Sequence, residues 1–170
     1  MAVREMRYLS DHGLRTKAKK VSAINQSIQQ LIDDMIETMQ RSGGVGLAAP
    51  QIGIPLRVIV LQMPEEEPFA IINPEIVRRS GERELMEGCL SVPGYQGEIK
   101  RSALVTVKGL DRQGKVMKIK ATDLMAQALE HEIDHLNGIL YIEHLESQDK
   151  LFKVEPRNSD EISNEASGKD

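Results

Sequence analysis

Two histidines four residues apart, His131 and His135, enclose Glu132 in a His-Glu-x-x-His pattern. On a helix, residues four apart lie one turn above each other, so both imidazoles can reach one metal ion. Glu132 would then lie beside that ion, where a carboxylate can move protons. The pattern therefore predicts metal-dependent hydrolysis. The alternative is a helix with two incidental histidines.

A catalytic zinc-type site needs a third protein ligand and an open position for water. The candidates are His12, His144, the plentiful Asp and Glu residues, and the single cysteine, Cys89. One cysteine cannot form an intramolecular disulfide and is typical of a reducing compartment or of a metal or catalytic role. We favour Cys89 as the ligand. The alternative is a small buried apolar residue, which most free cysteines are.

The histidines lie in a segment whose pattern predicts a helix. Thr122 or Asp123 can cap it, it runs to about Asn137, and Gly138 supplies the usual left-handed stop. Leu124 and Ala128 lie on the same face as the histidines, so this face is expected to point into the protein. We therefore expect a buried, metal-binding helix.

The remaining elements indicate an α+β fold, with antiparallel or mixed sheets packed around that helix. Apolar residues at helical spacing predict an N-terminal amphipathic helix over residues 25–40. Four segments read as strands that form two hairpins: 58–63 with 69–72, and 103–110 with 116–121.

Composition limits the domain count and the partners. A chain of 170 residues is the size of one domain, and we assign residues 1–152 to a single catalytic domain. Residues 153–170 are polar and are expected to form a disordered tail. A net charge of -4 and the absence of Trp argue against sequence-specific binding of nucleic acid. Without a secretory signal or a membrane-spanning stretch, we expect a cytoplasmic location.

Three motifs carry a resemblance to a known family. They are Gly44-Val45-Gly46-Leu47-Ala48-Ala49-Pro50-Gln51, Glu87-Gly88-Cys89-Leu90-Ser91, and His131-Glu132-Ile133-Asp134-His135. In type and order they resemble the signature motifs of the bacterial peptide deformylases, and the similarity extends from about Leu14 to about Leu145. The resemblance implies a hydrolase that removes the N-formyl group from the formyl-methionine of newly made polypeptides and releases formate.

The family's roles are carried onto the matching positions. The resemblance implies that Cys89, His131 and His135 hold the metal and that Glu132 is the general base and later the acid. It also implies that the side-chain amide of Gln51 and the backbone amide of Leu90 form an oxyanion hole.

Further positions follow from the same resemblance. Substrate contacts are expected at Gly44, Val45, Gly46, Leu85, Leu124, Gln127 and Ala128. Supporting contacts around the metal are expected at Glu87, Arg101 and Asp134, with Arg101 pairing with Glu87. The alternatives are that the glycines only form turns, that the leucines are ordinary core residues and that the charged residues are solvated at the surface.

The resemblance implies one divalent metal ion per chain, with Fe2+ expected in the cell and Zn2+, Ni2+ or Co2+ as replacements. Its substrates would be N-formyl-methionyl nascent peptides, which makes transient contact with the ribosome conceivable. Two departures from the family pattern matter. Gln96 stands where many members carry Arg, which affects any contact of that Arg with the peptide. The basic C-terminal helix of some relatives is absent, so docking to the ribosome through the tail is not inferred.

Two other classes of function stay open at this point. The first is a zinc endopeptidase that uses the same helix and a third ligand other than Cys89. The second is a binding module that keeps the fold and hydrolyses nothing, which the intact Gln51, Leu90 and Glu132 positions disfavour.

Overall fold

The computed structural model describes residues 1–155. Its two α-helices are α1 (Gln26–Arg41) and α2 (Asp123–Leu136). Its eight strands are β1 (Gly46–Ala48), β2 (Val58–Leu61), β3 (Phe69–Ser80), β4 (Arg83–Cys89), β5 (Val92–Arg101), β6 (Leu104–Leu110), β7 (Val116–Thr122) and β8 (Leu151–Lys153). They form a five-stranded sheet in the order β1-β2-β3-β6-β7 and a three-stranded sheet in the order β4-β5-β8. The α+β prediction is confirmed.

The two helices cover opposite faces of the five-stranded sheet. Alternate residues of β2 divide between them, because Val58 and Val60 belong to the cluster around α1 whereas Ile59 and Leu61 belong to the cluster around α2. This is the period of two expected of a strand that is buried on both faces. The sheet is therefore the centre of the main core.

Helix α1 forms where the apolar spacing predicts it. The Asn25 side chain accepts a hydrogen bond from the Ile28 amide and caps the first turn. Ile32, Met35 and Met39 are fully buried against the sheet. The helix ends just before Gly43, whose positive φ of 69° suits glycine.

Helix α2 is the more buried of the two and agrees with its prediction. Ala126, Leu129 and Leu136 are completely buried. Thr122 is its N-cap residue, and Gly138 follows its end with a φ of 73°. A Cβ atom on Gly138 would lie 2.6 Å from the Arg15 carbonyl oxygen, so a close approach also requires glycine there. Neither helix in residues 1–155 is long and apolar enough to cross a membrane.

Both predicted hairpins are present as antiparallel pairs, β2 with β3 and β6 with β7. Strand β3 is longer than the predicted segment and continues to Ser80. Its register with β6 shifts between Ile72 and Glu75, next to Asn73, which has a φ of 52° and bonds through its side chain to the Val21 backbone. Strand β3 therefore continues past Asn73 through an irregularity in its pairing with β6.

The three-stranded sheet was not among the predicted elements. β4 and β5 form a hairpin whose last pair is Cys89 with Val92, and β8 adds to β5. Lys153, which the sequence analysis assigns to the tail, belongs to β8 and pairs with Tyr95 of β5. The regular structure therefore extends past residue 152. The rest of the predicted tail, from residue 156 onward, lies outside the described residues.

Candidate active site

Three side chains with metal-binding atoms meet between the two sheets. Cys89 ends β4 and is partly exposed, whereas His131 and His135 lie on the inward face of α2 and are buried. One ligand atom from each of the three lies within 4.8 Å of the other two. The Cys89 Sγ atom is 3.3 Å from His135 Nε2, and the two Nε2 atoms are 3.2 Å apart.

These separations fit a single metal ion. With bonds of about 2.3 Å to sulfur and about 2.1 Å to nitrogen, the edges of a tetrahedron are about 3.6 Å from S to N and about 3.4 Å from N to N. The observed edges are a few tenths of an ångström shorter. Cysteine and two histidines are also a donor set that zinc and ferrous iron accept. The residues present therefore fit a tetrahedral ion with one position left for water or substrate.

The protonation of His131 follows from its second partner. His131 Nδ1 lies 2.7 Å from Glu87 Oε2, and an ionised carboxylate can only accept, so Nδ1 carries the proton. The Nε2 lone pair is then directed at His135 Nε2 and the Cys89 sulfur, where a cation is the natural partner. Burial raises the pKa of Glu87, but His131 and Arg101 lower it more, to about 2. Glu87 therefore stays ionised and holds the ring.

Arg101 is the centre of a buried charge network behind the metal ligands. It donates from Nε and Nη2 to Glu87, at 3.1 Å and 2.6 Å, and from Nη1 to Asp134 at 2.7 Å. His144 lies 2.8 Å from the same Asp134 oxygen. The expected Glu87–Arg101 ion pair is thus present, and Asp134 joins it. The network reaches from the surface at His144 to His131.

Glu132 is buried beside the metal ligands, and one of its carboxylate oxygens accepts no hydrogen bond from the described residues. Its Oε2 atom has no hydrogen-bond partner within residues 1–155, and burial, the largest influence, raises its pKa to about 7. Gly46 of β1 passes directly over it, because a Cβ atom there would lie 2.7 Å from Glu132 Oε1. The close approach to Glu132 therefore requires glycine at position 46.

The side-chain amide of Gln51 is fixed at both ends. Gln51 lies in the 3-10 helix Ala49–Ile52, which follows β1, and is almost completely buried. Its Oε1 atom accepts from the Ala48 amide at 2.9 Å, so the NH2 group faces the other way. Nε2 donates to Ser91 Oγ at 3.1 Å and approaches Cys89 Sγ at 3.7 Å. The NH2 group thus lies beside the metal ligands.

A cavity of about 370 Å³ opens onto these groups. Most of the expected substrate residues line it, together with the chemical groups described above. The lining comprises Gly43, Gly44, Val45, Gly46, Gln51, Glu87, Gly88, Cys89, Leu90, Leu124, Gln127, Ala128, His131 and Glu132. Leu85, expected in the methionine pocket, is not among them. It packs instead with Val92, Ile99 and Tyr141, because its position on β4 faces the small core of the three-stranded sheet.

Three residues near the site were not assigned a role from the sequence. Ser91 contacts Gln51, His144 contacts Asp134, and Tyr141 stacks on His131 with ring centroids 6.4 Å apart. Ser91 lies inside one of the three motifs, which was the available signal. His144 had been considered only as a metal ligand, and the other candidate, His12, is exposed in the N-terminal 3-10 helix.

A partly exposed cysteine and two buried histidines beside a buried glutamate, at the wall of a cavity, define the centre of a metal-dependent hydrolase. The family model for polypeptide deformylase matches residues 3–151. The chain belongs to the peptide deformylase family.

Individual relatives agree over most of their length. A peptide deformylase of Dehalococcoides mccartyi (strain CBDB1) is 56% identical over 157 residues, which cover 92% of this chain and 94% of the relative. One from Alkaliphilus metalliredigens is 51% identical and covers 85% of this chain and 98% of the relative. The crystal structure of a peptide deformylase from Legionella pneumophila has a TM-score of 0.84 at 49% identity, covering 88% of this chain and 89% of that one. One from Synechococcus elongatus, in complex with actinonin, has a TM-score of 0.84 at 39% identity, covering 86% and 81%.

Proposed function

We propose that this chain hydrolyses the N-formyl group of N-terminal formyl-methionine in newly synthesised polypeptides and releases formate. One observation carries the proposal. Cys89 and His131 of the Cys89-His131-His135 ligand set line the same cavity as Glu132 and Gln51. Each of the three is a component that amide hydrolysis requires: an electrophile, a proton carrier and a donor for the oxyanion.

Cys89, His131 and His135 would hold the divalent ion. When bound, such an ion polarises a carbonyl group and makes water more acidic. We propose Fe2+ as the ion in the cell, with Zn2+, Ni2+ or Co2+ as replacements, because a thiolate and two imidazoles suit all four. Glu87 supports the set by fixing the His131 tautomer, as outer carboxylates commonly do for ligating histidines.

Glu132 is the proposed general base and then general acid. Its free Oε2 atom and its raised pKa of about 7 suit a group that must accept a proton from water and later deliver it to the leaving amine. At this pKa both protonation states are accessible near neutral pH. Glu132 lines the cavity, so its carboxylate can exchange a proton with a group bound there.

Gln51 and Leu90 are the proposed donors to the formyl oxygen. The Ala48 amide holds Gln51 Oε1, which directs the Nε2 hydrogens toward Cys89 and the cavity. Leu90 lines the cavity from the turn between β4 and β5. Donors that are held in advance stabilise negative charge as it develops without reorganising during the reaction.

The edges of the two sheets suit an extended peptide. β1 is the edge strand of one sheet and β4 of the other, and residues from both line the cavity. An extended substrate can add to such an edge through backbone hydrogen bonds, which we assign to Gly44, Val45 and Gly46. Leu124, Gln127 and Ala128 on α2 would form the wall against the methionine side chain. A cytoplasmic location, at nascent chains leaving the ribosome, would follow from this substrate.

The test is formate release from a formyl-Met-Ala-Ser peptide by protein loaded anaerobically with ferrous ion. We expect rapid release by the wild type and by Glu143→Ala, an exposed control outside the cavity. Glu132→Ala with verified metal content should lose activity by about a hundredfold or more. Acetyl-Met-Ala-Ser should not be hydrolysed at a comparable rate.

Absence of release from wild-type protein with confirmed metal would refute the proposal. Cleavage of internal peptide bonds that survives Cys89→Ser would instead favour an endopeptidase with a different third ligand. The two activities can be told apart because deformylation liberates formate and cleavage of internal peptide bonds does not.

A further inference from the structure

The two proposed oxyanion donors belong to different sheets. Gln51 follows β1 of the five-stranded sheet, whereas Leu90 lies in the β4–β5 turn of the three-stranded sheet. A formyl oxygen must meet both donors at hydrogen-bond distance, so their separation has to be fixed to a few tenths of an ångström. This raises the question of what holds the two loops together.

A short segment near the N-terminus, residues 7–9, connects them. The Arg7 amide donates to the Gln51 carbonyl at 2.6 Å, and the Leu9 amide donates to the Ser91 carbonyl at 3.1 Å. The two amides lie only two residues apart, so one short segment bonds to both loops. The side chains of Arg7 and Leu9 are exposed, so apolar burial contributes little to this contact.

A second link joins the same loops through side chains. Ser91 is completely buried, and its hydroxyl oxygen accepts a hydrogen bond from Gln51 Nε2 at 3.1 Å. Because the Ala48 amide already donates to Gln51 Oε1, both polar ends of the Gln51 carboxamide are hydrogen-bonded. Ser91 therefore decides where the Gln51 NH2 group lies relative to Leu90.

We propose that Ser91 is a positioning residue for Gln51 and that the Arg7 and Leu9 amides hold the two donor loops at their working separation. The inference rests on the proposed function, because it gives Gln51 and Leu90 the task of binding the formyl oxygen. Neither Ser91 nor the segment touches the reacting atoms. Both act on the reaction through the placement of the donors.

The first test is Ser91→Ala combined with Gln51→Ala. Ser91→Ala should lower kcat about threefold to tenfold with KM little changed, since one neutral hydrogen bond that orients a donor is lost. Gln51→Ala should lower kcat by about a hundredfold or more. The double variant should be no slower than Gln51→Ala, because Ser91 has nothing left to position. Multiplying losses in the double variant would indicate a merely structural role and overturn the proposal.

The second test removes one amide of the segment. Leu9→Pro deletes the donor to Ser91, and Glu5→Pro adds a proline just before the segment without removing either hydrogen bond. We expect Leu9→Pro to lower kcat about threefold to tenfold and Glu5→Pro to match the wild type. Equal activity of both variants and the wild type would contradict the role of the segment.

A readout independent of activity separates this inference from the proposed function. In zinc-loaded protein, the side-chain amide signals of Gln51, identified by their loss in Gln51→Ala, should shift in Ser91→Ala and in Leu9→Pro but not in Glu5→Pro. If the wild type releases no formate, the proposed function fails while this spectrum still tests the positioning. Unchanged Gln51 signals in Ser91→Ala would refute the positioning even in an active enzyme.

Discussion

Replacing Arg101 with methionine should destabilise the protein more than any change of a single exposed charge. The Arg101 side chain is 2% exposed, and it donates three hydrogen bonds to Glu87 and Asp134. Removing one partner of a buried ion pair usually costs about 3–5 kcal/mol because the other charge stays buried. Glu87 keeps its contacts with His131 and Gln127, so we expect the lower end, about 3 kcal/mol.

Urea unfolding of metal-free protein measures this loss. With a slope of about 2 kcal/mol/M, a loss of about 3 kcal/mol moves the midpoint down by about 1.5 M. The matched control is Arg79→Met, whose side chain is 56% exposed and whose partner Glu130 keeps two hydrogen bonds from Ser102. The control should lose about 1 kcal/mol or less. A midpoint for Arg101→Met equal to that of the control would refute the reasoning.

The same variant should bind metal more weakly. Without Arg101, Glu87 holds His131 less firmly, and loss of such outer contacts typically costs about tenfold to a hundredfold in affinity. Competition with a chromogenic chelator, in buffer without urea where the variant is folded, measures the metal affinity. Unchanged affinity would show that the network serves stability alone.

Three further predictions concern Gly46, Asp34 and Cys89. Gly46→Ala places a Cβ atom 2.7 Å from Glu132 Oε1, so kcat should fall about tenfold or more while the circular dichroism spectrum stays that of the wild type. Burial raises the pKa of Asp34, but hydrogen bonds, first from Arg4, lower it more, so the net shift is downward. Asp34→Asn should therefore cost unfolding free energy at pH 7, and its difference from the wild type should shrink as the pH falls below about 4, which urea titrations at both pH values would show. A chelator should lower the unfolding temperature of metal-loaded wild type and leave that of Cys89→Ala unchanged in a thermal scan.

The elements whose apolar residues recur at a clear helical or strand spacing could be predicted from the sequence. The elements without such a spacing could not. Helix α1 has six apolar residues at helical spacing and a capping Asn25, so both its existence and its bounds follow from the sequence. In β4 and β5 one face meets only a small core, and many positions on the other face are charged, which leaves little alternation to detect. Asn73 and Pro74 likewise look like a strand end, although a bulge carries β3 past them.

The candidate site follows the same division. The two histidines and Glu132 could be proposed because their spacing on a helix has a chemical reason, whereas the role of Gln51 was implied only by the resemblance of its motif. Leu85 is not among the residues that line the cavity and packs on the small core of the three-stranded sheet, so its place in a methionine pocket stays a prediction. His144 was also beyond reach, since its contact with Asp134 depends on how the chain turns after α2.

The division of the site between two sheets explains why its supporting contacts are so polar. Helix α2 packs mainly on the five-stranded sheet, and little of its backbone approaches β4 or β5, so apolar packing alone does not fix Cys89 relative to the histidines. Arg101 of β5 joins the two parts on one side through Asp134 of α2. The Gln51–Ser91 contact joins them on the other. Hydrogen bonds are directional, so they fix distances and angles that packing of a small aliphatic core does not fix. A metal centre requires defined distances and defined angles between its ligands. Loss of either link should therefore disturb the distance from Cys89 to His135 before it disturbs the fold.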